Sequence, residues 1–300
     1  MFFMFERFEA GFSAAKDCWN VLRQQKSLLL FPLLSCVSCI LILMSFLLPL
    51  AWESGDWFAA IKWLSDLFND DGTGDQLLGM GIVFAFYFVN YFVIYYFNAA
   101  LVHCCLFRLR NIDVGIVDGL MSATRRIPAL IAWSLVSATV GLLLHLLERT
   151  SERAGNFIGQ IVSSVLGAAW TVSTFFVVPV LVIERVGPFK AIQRSLSVVS
   201  RTWGENIGVN LGIGFFMLPF WLIGFGAVYF TISVLSLQSP AGMSMALVLA
   251  GYFFVLGLMQ STLDTILRSA LYLYATQGEI PDQWKAATLE QAFYAKSSDG

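Results

Sequence analysis

Asp264 and Arg268 stand one helical turn apart inside a long apolar run, and of all the residues here they are best placed to hold or move charge. An acid four residues before a base is the favourable order for a pair on one helix. Alone, Asp264 would cost roughly 2.5–3.5 kcal/mol at the centre of a bilayer, so pairing with Arg268 accounts for it without a proton or ion relay. Asn90, Thr171, Ser173, Thr174 and Gln260 are also polar groups within apolar runs. Amides and hydroxyls in such places either line a polar path or join helices, at about 0.6–2 kcal/mol each, and joining is the simpler reading. A path, if these residues form one, runs by Asn90, Thr171, Thr174, Gln260, Asp264 and Arg268.

His103-Cys104-Cys105 has the residue types of a metal site but not the spacing. Consecutive residues point around a helix instead of converging on one ion, and the only other histidine, His145, falls near the opposite end of its run. The chain carries no His-Glu-x-x-His, no Gly-x-Ser-x-Gly and no phosphate-cradling glycine loop. No catalytic residue, metal or cofactor is therefore assigned, and a non-enzymatic protein is expected.

The elements that must position these residues are six apolar runs, at about 28–50, 77–107, 127–147, 157–183, 207–237 and 243–275. Each has the roughly 20 residues a helix needs to cross about 30 Å of hydrocarbon. The composition agrees, with 58% hydrophobic and 13% charged residues, against about 25% charged in soluble domains. If all six runs span, fifteen of the 18 Lys and Arg residues lie on one side and only Lys62, Arg149 and Arg153 on the other. The acidic segment after the first run, with Glu53, Asp56, Asp66, Asp70, Asp71 and Asp75, joins those three. Positive charge accumulates on the cytoplasmic side, so both termini are expected there. Residues 1–281 then form one six-span membrane domain and 282–300 a short cytoplasmic tail. The first 26 residues lack the apolar core and small-residue site of a cleavable signal. None of the five cysteines falls in an outer loop, so free thiols are expected.

Ahead of each pair of spans comes a segment too polar to cross but helically patterned. Phe8, Phe12, Ala15, Trp19 and Leu22 recur in the first, Ile116, Leu120, Ala123 and Ile127 in the second, and Phe189, Ile192, Leu196, Val199 and Trp203 in the third. Lys190, Arg194 and Arg201 oppose the third stripe, and Arg125 and Arg126 end the second segment. Such helices suit the headgroup plane, either as elbows beneath the bundle or as binders of anionic lipid through these five basic residues. The fold class expected is all-α integral membrane, with six spans as three hairpins, each preceded by a cytoplasmic-side amphipathic helix.

The basic residues are too dispersed for nucleic acid. Thr202-Trp203-Gly204-Glu205 has capping-box spacing, which predicts that the third surface helix and the fifth span are separate helices. Gly204, Gly208 and Gly212 recur every fourth residue and predict close helix packing, as do Gly159, Ser163 and Gly167. A short helix is expected within 57–68, followed by a turn at 70–75 that lacks the ligand spacing of a calcium loop.

Thr174-Phe175-Phe176-Val177-Val178-Pro179-Val180, Gly187-Pro188-Phe189-Lys190-Ala191, Arg194-Ser195 and Thr202-Trp203-Gly204-Glu205-Asn206 resemble the bacterial membrane family known as domain of unknown function 6159. Leu30-Phe31-Pro32, Phe97-Asn98-Ala99-Ala100-Leu101 and Ala138-Thr139-Val140-Gly141-Leu142 extend the resemblance over most of the chain. More loosely, a surface helix followed by a hairpin is similar to the membrane domain beside some glycerophosphodiester phosphodiesterases. The resemblance implies a compact multi-span bundle of a bacterial plasma (inner) membrane and carries over no catalytic residue. The function expected is a membrane-organising or accessory protein that engages anionic lipids or partner proteins. The alternative is a small-solute transporter or channel using the polar path.

Overall fold

The computed structural model describes the backbone of residues 2–54, 56, 58, 62, 76–153, 157–235 and 239–278. Side-chain surroundings are described for 11–49, 52, 56, 58, 62, 81–151, 157–200, 213–234 and 239–278. Among these residues the chain is helical without strands, in the order α1 Phe2–Gln24, a 3-10 turn Lys26–Leu29, α2 Leu30–Ser54, α3 Gln76–Leu109, α4 Ile116–Thr124, α5 Ile127–Arg153, α6 Phe157–Ser173, α7 Val177–Ile183, α8 Pro188–Phe230, a π turn Thr231–Leu235 and α9 Pro240–Gln277. A spanning backbone must satisfy its own amides and carbonyls, which helices do without a partner strand.

Six stretches are long and apolar enough to cross a membrane: Lys26–Pro49, Gly81–Leu109, Ile127–Ser151, Phe157–Ile183, Ile213–Val234 and Pro240–Gln277. They follow the six runs expected from the sequence. As expected too, the second and sixth exceed the bilayer: α3 has 34 residues and α9 has 38, so they rise about 51 Å and about 57 Å.

The fourth span keeps its expected bounds but carries a break, and one local expectation is corrected. The fourth span is broken, because α6 stops at Ser173 and α7 starts at Val177. Pro179 has no amide for the carbonyl of Phe175, and its ring crowds that carbonyl, which favours a break here, whereas α8 runs on through Pro219. In contrast, α8 stays helical from Pro188 to Phe230, straight past the capping-box sequence at 202–205. A single Gly costs a helix only about 1 kcal/mol, less than leaving orphan amides at a break. The short helix and turn anticipated within 57–75 lie outside the described residues, except for the backbone at 58 and 62.

The helices group into two compact units. One comprises Met1–Pro32, Leu101–Asp118 and Ser197–Gly300. In it α1 packs against α9, and a stripe of α1 residues, Ala14, Ala15, Cys18, Val21 and Leu22, is buried. The apolar stripe expected for α1 is thus rotated: Ala15 and Leu22 are buried, Trp19 is half-buried and Phe12 is exposed, while the surroundings of Phe8 lie outside the described residues. Phe12 and Trp19 instead meet the ring of Phe216 on α8. Further along, Gly224 lets α8 approach α9 closely, since a Cβ there would lie 2.8 Å from the ring of Phe253. Trp221 and Phe225 flank the contact, with Tyr252 donating to the Phe220 carbonyl at 2.8 Å. The turn after α3 is held by Arg108 on Asp113, Arg110 on Gln277 and Gln25 on the Val114 carbonyl.

The other unit comprises Leu33–Ala100 and Gly119–Leu196. Here α5 and α6 pack against each other, and Gly159 is one reason, because a Cβ there would meet the Ser151 hydroxyl at 2.5 Å. A ladder of rings runs through this unit from Tyr87 by Tyr91, Tyr95 and Trp133 to Trp170, with successive centroids 5.8–6.1 Å apart. Helices in lipid gain nothing from escaping water, so such dispersion contacts and small-residue approaches supply their attraction.

Candidate functional site

In the second unit, basic residues gather where spans end. Arg125 and Arg126 form the turn joining α4 to α5, immediately before Ile127. The turn is anchored from α3 by Tyr96, whose hydroxyl reaches the Leu120 carbonyl at 3.4 Å and the Thr124 hydroxyl at 2.9 Å. Arg185 lies two residues beyond the end of α7 and has φ +55, in the left-handed region. It occupies the position after a helix end that Gly usually fills. After α3 and α9 the corresponding left-handed residues are Asn111 and Gly278, with φ +57 and +67, the types that tolerate this conformation best. An arginine there costs roughly 1 kcal/mol or more.

Burial first, and then the charge of Arg185, hold the Arg126 guanidinium below its ordinary range. Arg194, expected to meet headgroups, instead donates to Glu184 at 2.8 Å. Arg125 is exposed, with its guanidinium 3.6 Å from the Met121 sulfur, and Lys190 is exposed. Arg201 belongs to α8, but its side chain lies outside the described residues.

The first turns of α8 seat this edge. Pro188 starts the helix, where its missing amide costs nothing. Ala191, Ser195, Val198 and Val199 are buried, while Phe189 is 72% exposed and Leu196 43%. Of the stripe expected on this helix, only Val199 is fully buried; Ile192 is half-buried, Phe189 and Leu196 face outward, and the side chain of Trp203 is not described. On α4, Ala123 is buried, Ile116 and Leu120 are half-buried with Ile127 beyond them, and Val117 and Met121 are exposed. The Ser195 hydroxyl accepts the amide of Phe176 at 3.0 Å, and both residues are fully buried. This bond satisfies a donor freed by the break between α6 and α7. Ser195 therefore joins helix α8 to the broken span, a role that spacing alone does not reveal. Its one sequence signal is a small polar residue four positions after buried Ala191.

The polar residues of the anticipated path are placed as follows. Asn90 donates to the Phe86 carbonyl at 2.8 Å and Thr171 to Gly167 at 2.9 Å, each within its own helix, and Thr174, in the turn after α6, donates to Trp170 at 2.8 Å. In the other unit, Gln260 accepts from the Trp221 indole at 2.9 Å, which ties α9 to α8. Asp264 and Arg268 attract one another along α9, with Cys18 of α1 close to the carboxylate. Burial, and then Asp17, Cys105 and Asp264, raise the Cys18 thiol well above its ordinary range.

All five cysteines are thiols. Cys104 contacts the Gly115 carbonyl at 3.6 Å, whereas the His103 ring lies 4.4 Å from that of Phe107, so the His-Cys-Cys run does not converge. No cluster of three His, Cys, Asp or Glu suited to a metal occurs among the described residues. Of the packing glycines, Gly159 is tightly seated and Gly167 has open space; the backbone at 204, 208 and 212 is helical, but the surroundings of these three lie outside the described residues.

A helical chain with six spans and interfacial basic turns is a multi-pass membrane protein. It belongs to the family of unknown function DUF6159, whose model matches residues 77–281. No curated protein and no solved structure matches the chain.

Proposed function

We propose that this protein is a non-enzymatic accessory protein of a bacterial plasma membrane that engages anionic lipid on its cytoplasmic side, where both termini lie. The observation that carries the reading is the outward face of the second unit at the span ends. Arg125 and Lys190 are exposed together with the apolar side chains of Met121, Phe189 and Leu196. An interfacial helix needs this mixture, with apolar groups at the acyl boundary and cations at the headgroups. The buried small face of α8, pinned by Ser195, makes the same helix an elbow beneath the broken span, so elbow and lipid contact are two faces of one element. A transport reading has less support, because Asn90 and Thr171 each bond within their own helix and Thr174 bonds to the carbonyl of Trp170 one turn before it.

The test is Arg125→Gln with Lys190→Gln in the full chain, measuring phosphatidylglycerol and cardiolipin retained through purification. Each basic residue near an anionic surface is worth about 1 kcal/mol, so retention should fall by roughly tenfold or more. Retention equal to the parent, with an unchanged helical spectrum, would overturn the reading.

A further inference from the structure

Met121 lies on α4, six residues before the span that begins at Ile127, and it is 51% exposed. Of the methionines whose surroundings are described, Met44, Met217, Met243, Met245 and Met259 all lie within spans, so among them Met121 alone stands outside. Four residues on, in the turn after α4, the exposed Arg125 brings its guanidinium to 3.6 Å from the Met121 sulfur. The backbone between them is braced from α3, where the Tyr96 hydroxyl reaches the Leu120 carbonyl at 3.4 Å and the Thr124 hydroxyl at 2.9 Å. Sulfur and cation therefore stand side by side at the edge of the bilayer. A thioether is only a weak acceptor and suits the acyl boundary. Transfer of one oxygen from hydrogen peroxide changes both properties. A sulfur lone pair forms the S–O bond and the O–O bond breaks. The proton of the transferred oxygen passes to the leaving hydroxide, which departs as water, so sulfur is oxidised as the peroxide is reduced. The resulting sulfoxide is polar, and its oxygen accepts charge-assisted bonds from a guanidinium such as that of Arg125.

We infer that Met121 and Arg125 form a reversible oxidation switch, at which hydrogen peroxide lowers the protein's hold on anionic lipid. The switch rests on the lipid-engaging reading above and names its regulation. Oxidation withdraws one apolar group from the acyl boundary and turns the Arg125 N–H groups from a lipid phosphate towards the sulfoxide oxygen. The other exposed apolar residues of that face, Phe189 and Leu196, carry no sulfur. Peroxide reaches Met121 through the water at the headgroups, whereas it partitions poorly into the hydrocarbon around the sulfurs within the spans. Reversal is available because methionine sulfoxide reductases, one for each sulfoxide epimer, remove the oxygen.

The experiment places the full chain in nanodiscs of phosphatidylglycerol and phosphatidylcholine and adds hydrogen peroxide. Peptide mass spectrometry maps the oxidised methionines, and the phosphatidylglycerol retained on transfer into detergent is measured. Met121 should gain its oxygen before Met44 and Met259. Retention by the parent should then fall about fivefold, the worth of one basic residue at an anionic surface, and the two sulfoxide reductases should restore it. Met121→Leu, compared with and without peroxide, should show no fall. Arg125→Gln should start lower and fall less on oxidation, because it has no guanidinium for the sulfoxide to draw away. Slower oxidation of Met121 than of Met44 or Met259, an equal fall in Met121→Leu, or an undiminished fall in Arg125→Gln overturns the switch. If oxidised Met121 leaves parent retention unchanged while Arg125→Gln with Lys190→Gln lowers it, the switch alone fails and the lipid reading stands. If that double variant retains as much lipid as the parent, the lipid reading falls and the switch with it.

Discussion

Ser195→Ala removes one oxygen and leaves the rest of the packing in place. In the parent, that oxygen accepts the Phe176 amide at 3.0 Å, and neither residue has measurable exposure. Residues 174–176 form the turn between α6 and α7, and the carbonyl of Val172 already accepts the Phe175 amide at 3.3 Å. Replacement removes a hydrogen bond between two fully buried residues, which costs about 1–3 kcal/mol. For a protein of this size, that corresponds to a fall of several degrees in the unfolding midpoint, at roughly 2–4 °C per kcal/mol. Ser200→Ala is the matched control, because its exposed hydroxyl only reaches the Ser197 carbonyl of its own helix, and such changes stay within about 0.5 kcal/mol. The assay is thermal unfolding in a fixed detergent, paired with amide hydrogen exchange over the peptide containing Phe176. Exchange should quicken there and remain unchanged in α9. If Ser195→Ala unfolds with Ser200→Ala and Phe176 stays protected, this bond does not hold the broken span.

The two classes of glycine should separate cleanly: Gly224→Leu should lower the unfolding midpoint, because even its Cβ would meet Phe253 at 2.8 Å, while Gly167→Ala, with nothing within 4 Å, should leave it unchanged. Equal effects of the two substitutions would show that α8 and α9 do not depend on this close approach. Cys18 yields a pH dependence. Its thiol is raised in the folded state, so the stability it contributes is complete below the unfolded thiol value of 9.0 and is lost as pH rises from there through the folded value. The parent should therefore lose stability above that pH more steeply than Cys18→Ala, measured as midpoint against pH; parallel curves would refute the burial of this thiol.

The positions of the spans were legible in the sequence because bilayer thickness sets a minimum length for an apolar helix, and the runs at 28–50 through 243–275 meet it. The excess lengths of α3 and α9 followed from the same count. Pro188 as a helix start was legible too, since it depends on the residue itself. Pro179 gave the same kind of local cue for the break in the fourth span, but apolar periodicity carries no penalty for an interruption and reads straight across it. Which face of α1 is buried was decided by the tertiary packing: α1 packs against α9, and Ala14, Ala15 and Cys18 are buried while Phe12 is exposed and Trp19 half-buried. The ion pair of Arg194 with Glu184 and the bond from Ser195 to Phe176 join residues 10 and 19 positions apart. Composition fixes how many charges a membrane surface must accommodate; only the tertiary fold decides which neutralise one another, as Arg194 and Glu184 do, because that depends on distances across elements that no local pattern encodes.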